Sequence, residues 1–320
     1  MGRRLTGVEK RYRRQRVQVG ALDIGGYESY PVLDQGNRYF VSSVTGASGN
    51  DGSIDAPVLT VAAGVALCTA NQGDEVHVLH NHAETITGVS GLTIDKAGIS
   101  IIGHGVYNQR PRLLMDGGTT VTALVSAADV YIDNIEMASG HLLVATGFDV
   151  TGKGFWANHI HFTDNTTAEN WGSPFKATGA ANTADGLTIT NCRWTPLVAT
   201  VNALEFLEIT DDIRDLTIDG NFIVHEGTAS PLVLQAGTKV MQTAQITNNY
   251  LSHKMTGSDL LIDNGGSTNS GIVAYNLFGH ADVTTQHAIG AATGMRFFEN
   301  YSVSTAVLSG FLLPAADVDL

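Results

Sequence analysis

The sequence predicts an all-β fold: a single-stranded right-handed parallel β-helix of about nine coils, with an N-terminal capping helix and an extended basic N-terminal arm. Three observations carry that prediction. The first is a recurring phrase, Leu216-Thr217-Ile218-Asp219-Gly220-Asn221, then Ala244-Gln245-Ile246-Thr247-Asn248-Asn249, Gly271-Ile272-Val273-Ala274-Tyr275-Asn276 and Met295-Arg296-Phe297-Phe298-Glu299-Asn300. The second is its spacing: the closing residues Asn221, Asn249, Asn276 and Asn300 follow at intervals of 28, 27 and 24 residues, a period that belongs to stacked repeats. The third is the alternation of apolar and polar residues inside each phrase, the pattern of a half-buried strand. A strand that returns once per period lies beside its predecessor, and each coil's inward side chains are buried by the coil above. One buried Ile, Val or Phe contributes roughly 1.5–3 kcal/mol, so a few per coil offset chain ordering only when coils stack. The four asparagines are the expected structural ladder, each hydrogen-bonding to the Asn above and below, as in stacked chains.

The phrase continues backward with other residues in the Asn slot. Leu187-Thr188-Ile189-Thr190-Asn191-Cys192 places Cys192 there, and the runs 155–162 and 130–137 place Ile there. Runs 98–104 and 76–81 begin the series. Ahead of them, residues 1–37 are expected to be arm and connector, and Arg38-Tyr39-Phe40-Val41 a first strand. The cluster from Ser48 to Ser53 reads as a turn. The apolar segment near 56–70 is the expected capping helix, with Asp55 as its cap and Pro57 in its first turn. Its small residues Ala62, Ala63, Gly64 and Ala66 permit close approach, so it would plug the open end of the first coil. The β-helix is expected over 38–306. Two stretches break the period: Thr163 to Asp185, with Trp171, Pro174 and Phe175 at its middle, and Leu197 to Asp215, with Glu205, Glu208, Asp211, Asp212 and Asp215. Both read as loops leaving the stack. The apolar segment 307–320 is expected to cover the last coil or to pack on a neighbouring subunit.

The net charge of −13 is unevenly divided. Arg3, Arg4, Lys10, Arg11, Arg13, Arg14 and Arg16 stand against Glu9 alone, so residues 1–16 carry +6 and the remainder, by difference, −19. A basic arm on an acidic body is either a solvated tail or a tether for an acidic surface. Phosphate attracts such an arm, but the body repels it and Tyr12 is the arm's only aromatic, so nucleic acid is the least expected partner. Cys68 and Cys192, about five coils apart, read as reduced core residues. No apolar run reaches about 18 residues, so no membrane span is expected, and no apolar segment follows the basic start, so no ordinary secretion signal is expected.

Several phrases also carry a family likeness. Tyr39-Phe40-Val41-Ser42, Gly49-Asn50-Asp51-Gly52-Ser53, Ala56-Pro57, Gly73-Asp74-Glu75-Val76-His77-Val78 and Glu84-Thr85-Ile86 resemble the opening of pectin-lyase-like right-handed β-helix proteins. The likeness is nearest to the β-helix proteins of tailed bacteriophage virions, and it covers residues 39–301. It is specific for fold and weak for function.

The candidate chemistry is thin by comparison. Polygalacturonase-like hydrolases of that fold place a Gly-His-Gly one coil after an Asp-Asp pair, with an Arg-x-Lys on a following coil. Here Gly103-His104-Gly105 precedes Asp211-Asp212 by about four coils, and no Arg-x-Lys lies near either. Lyases of the fold use acidic groups for Ca²⁺ and a basic residue as proton acceptor. Asp211, Asp212 and Asp215 are suitable hard donors, but Arg214 among them fits an ordinary ion pair in a solvated loop. His77, His80, His82 and Glu84 include Zn²⁺ donor types without a supporting second motif. His159 and His161 alternate with inward Ile160 and Phe162, which accounts for their spacing. No cofactor or metal is expected. Trp171 and Phe175 suit a protein contact, a stacked sugar ring or internal packing, and are taken as partner-binding together with Arg3, Arg4, Lys10, Arg11, Tyr12, Arg13, Arg14 and Arg16.

The resemblance and the charge pattern together lead to an expected function. The chain is expected to be a non-enzymatic virion structural protein, a capsid decoration (cement) protein assembled in the host bacterial cytoplasm. It would act as a homotrimer that meets the major capsid protein or another virion protein through its arm. The alternatives are a tailspike-type polysaccharide depolymerase and a non-catalytic carbohydrate-binding spike.

Overall fold

The computed structural model describes residues 36–196, 205–225, 233–235, 239–253, 268–280, 294–304 and 310–313. The arm residues expected to contact a partner, Arg3 to Arg16, lie outside them, as do the ends of the segment 307–320. The described chain is a β-solenoid with one short helix. Its first sheet holds ten strands, from Arg38–Val41 to Met295–Phe298. The second holds ten, from Ala83–Ile86 to Gly310–Leu313, and the third six, from Leu92–Ile94 to Val233–Gln235. The third sheet's six strands mark six complete three-sheet turns among the described residues, fewer than the roughly nine coils that the recurring phrase predicts, because the phrase counts first-sheet strands. Pairing between coils is parallel; the last strand, Gly310–Leu313, instead runs antiparallel to Asn300–Ser304 and covers its edge. A right-handed path is the sense that strand twist imposes on parallel crossovers. No helix among the described residues is long and apolar enough to cross a membrane.

Strand register turns the sequence alternation into a core. In the first sheet Val76, Ile101, Ile132, Ala157, Ile189, Ile218, Ile246 and Val273 pair in sequence across adjacent coils, and all are buried. Leu113, Met137, Phe162, Trp194, Ile223, Leu251 and Phe278 do the same in the second sheet. Leu92, Ala123, Phe148, Phe175, Leu207 and Val233 form the third wall. Because side chains alternate with period two, a slip of one residue would turn each wall outward.

The corner between the first and second sheets explains why Asn closes each phrase. Asn134, His159, Asn191, Gly220, Asn248, Tyr275 and Glu299 all sit there at φ between 50° and 68°. Gly and Asn tolerate that left-handed turn; Tyr275 and Glu299 adopt it at a cost of about 1–2 kcal/mol each. The turn aims the next residue inward, and in four coils that residue is Asn221, Asn249, Asn276 or Asn300, each at most 2 % exposed. The Oδ1 of Asn249 accepts from both the backbone N–H and the Nδ2 of Asn221, each at 2.9 Å. Asn276 does the same for Asn249 at 2.9 and 3.0 Å, and Asn300 for Asn276 at 3.0 and 2.9 Å. In the earlier coils Ile135, Ile160 and Cys192 take the slot and are buried.

Three expectations need correction. The helix is Val61–Leu67, shorter than 56–70, and Thr60 caps it by accepting from the Ala63 N–H. Asp55 and Pro57 precede it because residues 52–58 serve another purpose: Gly52, Val58 and Phe40 exchange backbone hydrogen bonds, with Phe40 N–H donating to Gly52 O and Val58 N–H to Phe40 O. This segment covers the free edge of the first strand, where an open ladder would invite pairing with another chain. Second, Thr163 to Asp185 is not simply a loop, because Trp171–Ala177 is a strand of the third sheet. Third, Leu197 to Asp215 likewise includes the strands Leu207–Ile209 and Ile213–Arg214.

Candidate functional site on the outer face of the first sheet

The outward positions of the first sheet bring together groups that the sequence scatters. The strands Tyr131–Asp133, Trp156–Asn158 and Thr188–Thr190 pair in register, so that Tyr131, Trp156 and Thr188 form one outer column and Asp133, Asn158 and Thr190 the next. Trp156 is 45 % exposed. It meets Tyr131 edge-on at 4.9 Å and donates from Nε1 to the Thr190 hydroxyl at 2.8 Å. Asp133 Oδ1 accepts from Asn158 Nδ2 at 2.9 Å and contacts His159 Nδ1 at 3.0 Å. Asn158 Oδ1 in turn accepts from Thr190 Oγ1 and Asn191 Nδ2, both at 2.9 Å. Further along, Asp219 Oδ1 accepts from Thr247 Oγ1 and Asn248 Nδ2 at 2.6 and 2.7 Å. Burial raises the Tyr131 phenol above its ordinary range; the hydrogen bond from Asn158 opposes that shift and the Asp133 charge adds to it.

This face can hold a polyhydroxylated or planar ligand, with Trp156 and Tyr131 as a partly exposed aromatic platform and the His159 ring, 53 % exposed, beside it. It is poorly arranged for glycoside hydrolysis. Asp133 and Asp219 are three strand spacings apart, about 14 Å, whereas that reaction needs paired carboxylates roughly 5–9.5 Å apart.

The other sequence candidates fall elsewhere. Trp171 and Phe175, expected to contact a partner, are both 0 % exposed, and so are corrected to core residues. Trp171 donates from Nε1 to Thr163 O at 2.9 Å, and Phe175 packs against Phe148, Phe162 and Phe206 at 5.1–5.6 Å. Gly103-His104-Gly105 has a steric cause, because a Cβ at Gly103 would lie 2.2 Å from Asn134 O of the next coil. His82 is buried, touches Glu84 at 3.1 Å, and Glu84 accepts from the Val61 N–H at the start of the helix. Asp211 pairs with Lys239 at 2.9 Å, and that hydrogen bond lowers the Asp211 pKa. Among the described residues no three His, Cys, Asp or Glu side chains converge to hold a metal ion. Cys68 and Cys192 are buried free thiols.

Tyr131, Trp156, Asp133, Asn158 and Asn191 went unread in the sequence as a site. Their signal was their position: they are the outward members of the strand phrases and the corner residue that follows.

One buried acid stands apart from this face. Glu205 is 2 % exposed and accepts from the Ser173 hydroxyl at 2.6 Å. Burial pushes its carboxyl up to about 7, although the Ser173 bond works the other way. The folded chain therefore keeps a proton that the unfolded chain, with Glu near 4.3, has already released. Stability is greatest below the unfolded value and falls as pH climbs to about 7, by roughly 3 kcal/mol. Glu205→Gln is expected to raise the thermal midpoint at pH 8 and to leave it nearly unchanged at pH 4.5, as read by melts at both.

No known protein family matches the chain, and no curated protein matches it. Among solved structures, a rhamnogalacturonan lyase aligns over 83 % of this chain and 87 % of its own, at 14 % identity and a TM-score of 0.41. A likeness at that level carries no activity across, and the parallel β-helix stands on the strand pairing itself.

Proposed function

We propose that this chain is a non-enzymatic structural protein of a tailed-phage virion, a capsid decoration (cement) protein whose basic arm anchors a stiff solenoid body. The observation that carries this reading is the charge division: seven basic residues against one acid in residues 1–16, on a chain whose net charge is −13. Such an arm is drawn to an acidic shell while the body is held off it. A homotrimer presenting three arms to a symmetric lattice of major capsid protein gains avidity from multiplicity rather than from one tight site. Deleting residues 1–16 is expected to leave the fold intact and to remove the protein from assembled particles. Imaging of particles made with each form checks this through the presence or absence of an added surface density.

The Tyr131–Trp156 face favours one second reading, a carbohydrate-binding spike, with a cutting tailspike depolymerase disfavoured by the spread of the carboxylates. Retention of host surface polysaccharide by residues 17–320, with no release of reducing ends, would select the spike.

A further inference from the structure

We infer that the first rung of the solenoid is fastened by an acid-sensitive histidine clasp, in which His77 and His104 share a hydrogen bond that breaks when both rings are protonated. His77 lies on the strand Glu75–Val78, between Arg38–Val41 and Ser100–Gly103. Its Nδ1 is 2.8 Å from His104 Nε2. Ring centres 5.1 Å apart, with planes at 25° and nitrogens this close, meet edge to edge, as an N–H···N bond requires. One nitrogen must carry the proton and the other must offer its lone pair. The four ring nitrogens can therefore hold two protons, or three, but not four.

The surroundings offer little to support a second charge. His77 Nε2 faces Glu75 Oε2 at 3.0 Å, and the same oxygen accepts from Arg38 Nε at 2.8 Å. Glu75 is thus already engaged by Arg38 from the preceding strand. Phe40, from that same strand, lies against His77 at 5.3 Å. On the other side His80 adds a further imidazole close enough to act on His104. Burial, then His77 and His80, already hold His104 below the ordinary histidine range. Two protonated rings would place like charges nitrogen to nitrogen beside Arg38.

The pairing at risk is that of Glu75–Val78 with Ser100–Gly103, the coil boundary that the bond spans. Acid would loosen the N-terminal end of the solenoid at that boundary. The consequence for attachment rests on the proposed tether; the clasp itself does not.

Hydrogen exchange on the full chain tests the clasp, with rates corrected for intrinsic exchange at about pH 7.5 and pH 5. Amides in 75–79 and 100–104 are expected to lose roughly tenfold protection at the lower pH, while 188–190 and 217–219 hold theirs. His104→Gln, which keeps a neutral hydrogen-bonding partner for His77, is expected to abolish that response; His77→Gln serves if the first variant fails to fold. The imidazole NMR signals of His104 should titrate below the ordinary histidine range in the parent chain, and His77→Gln should lessen that depression. An unchanged pH response in the variants, no response in the parent chain, or a His104 titration that His77→Gln leaves in place would overturn the clasp. Loss of particle attachment on deleting residues 1–16 bears on the tether alone.

Discussion

Asn249→Ala is expected to lower the unfolding free energy by about 3–5 kcal/mol: the buried Asn221 backbone N–H loses its acceptor at roughly 1–3 kcal/mol, and each further hydrogen bond lost adds about 0.5–1.5 kcal/mol, Asn221 Nδ2 keeping Ile189 O as acceptor. Asn249 bridges three coils. Its Nδ2 donates to Ile218 O of the coil before at 2.9 Å and to Asn276 Oδ1 of the coil after at 3.0 Å. Its Oδ1 receives the Asn221 backbone N–H and Nδ2. Alanine removes the acceptor from two donors of Asn221 and the donor from Ile218 O, in a place water does not reach. Asn249→Asp should fare no better, since it loses both donors and buries a charge. Denaturant unfolding of the parent and both variants measures the effect. A cost under about 1 kcal/mol, the ordinary range for a change outside a buried network, would mean that the ladder does not join the coils.

Phe175→Ala is expected to cost about 3–5 kcal/mol, as large-to-small core changes of aromatics do. Phe175 stacks on Phe148 at 5.6 Å and meets Phe162 and Phe206 edge-on at 5.1 and 5.3 Å. Around them Phe155, Trp171 and Trp194 are also fully buried, so the cavity would be lined by rings with little freedom to collapse. The same variant separates the two readings of this residue. A side chain waiting for a partner would leave the isolated protein's midpoint within about 0.5 kcal/mol of the parent.

Trp171 and Phe175 also show what the sequence conceals. The recurring phrase marks the first sheet and the corner after it, because the strand alternation and the left-handed turn both leave residue signatures there. The left-handed turn that follows the third sheet, at Gly98, Asp129, Gly154, Gly186 and Asp215 with φ between 55° and 76°, stands two residues before each first-sheet strand, so it marks that strand rather than the third-sheet strand before it. The third-sheet strand Trp171–Ala177 follows a polar run, residues 163–170, precedes a Gly- and Ala-containing one, and holds Gly172, Ser173 and Pro174, which read as a break. Gly172 is there because Ala145 O of the preceding coil lies 2.7 Å from where its Cβ would stand. The ladder was legible from Asn221 onward because every slot is Asn. Upstream, Ile135, Ile160 and Cys192 fill the same slot and leave only apolar character to follow.

The outer face was legible only in part. Alternation predicts that Tyr131, Trp156 and Asp133 point away from the core, but not that they stand on adjacent rungs. That follows from register, which pairs Trp156 with Tyr131 and Asn158 with Asp133. Gly103-His104-Gly105 gave the opposite lesson. A motif familiar from catalysis is here a glycine that lets two coils approach, and a histidine bonded to its neighbour in the preceding coil.

The proposed function depends on opposite charges held in separate parts of one chain. It is tested most directly by binding the 1–320 and 17–320 chains to purified bare capsids across a series of salt concentrations. The account predicts that the full chain binds at low ionic strength and is released as exposed charge pairs are screened, while the shortened chain stays in solution at every salt concentration. Equal binding by both chains, unchanged by salt, would contradict it.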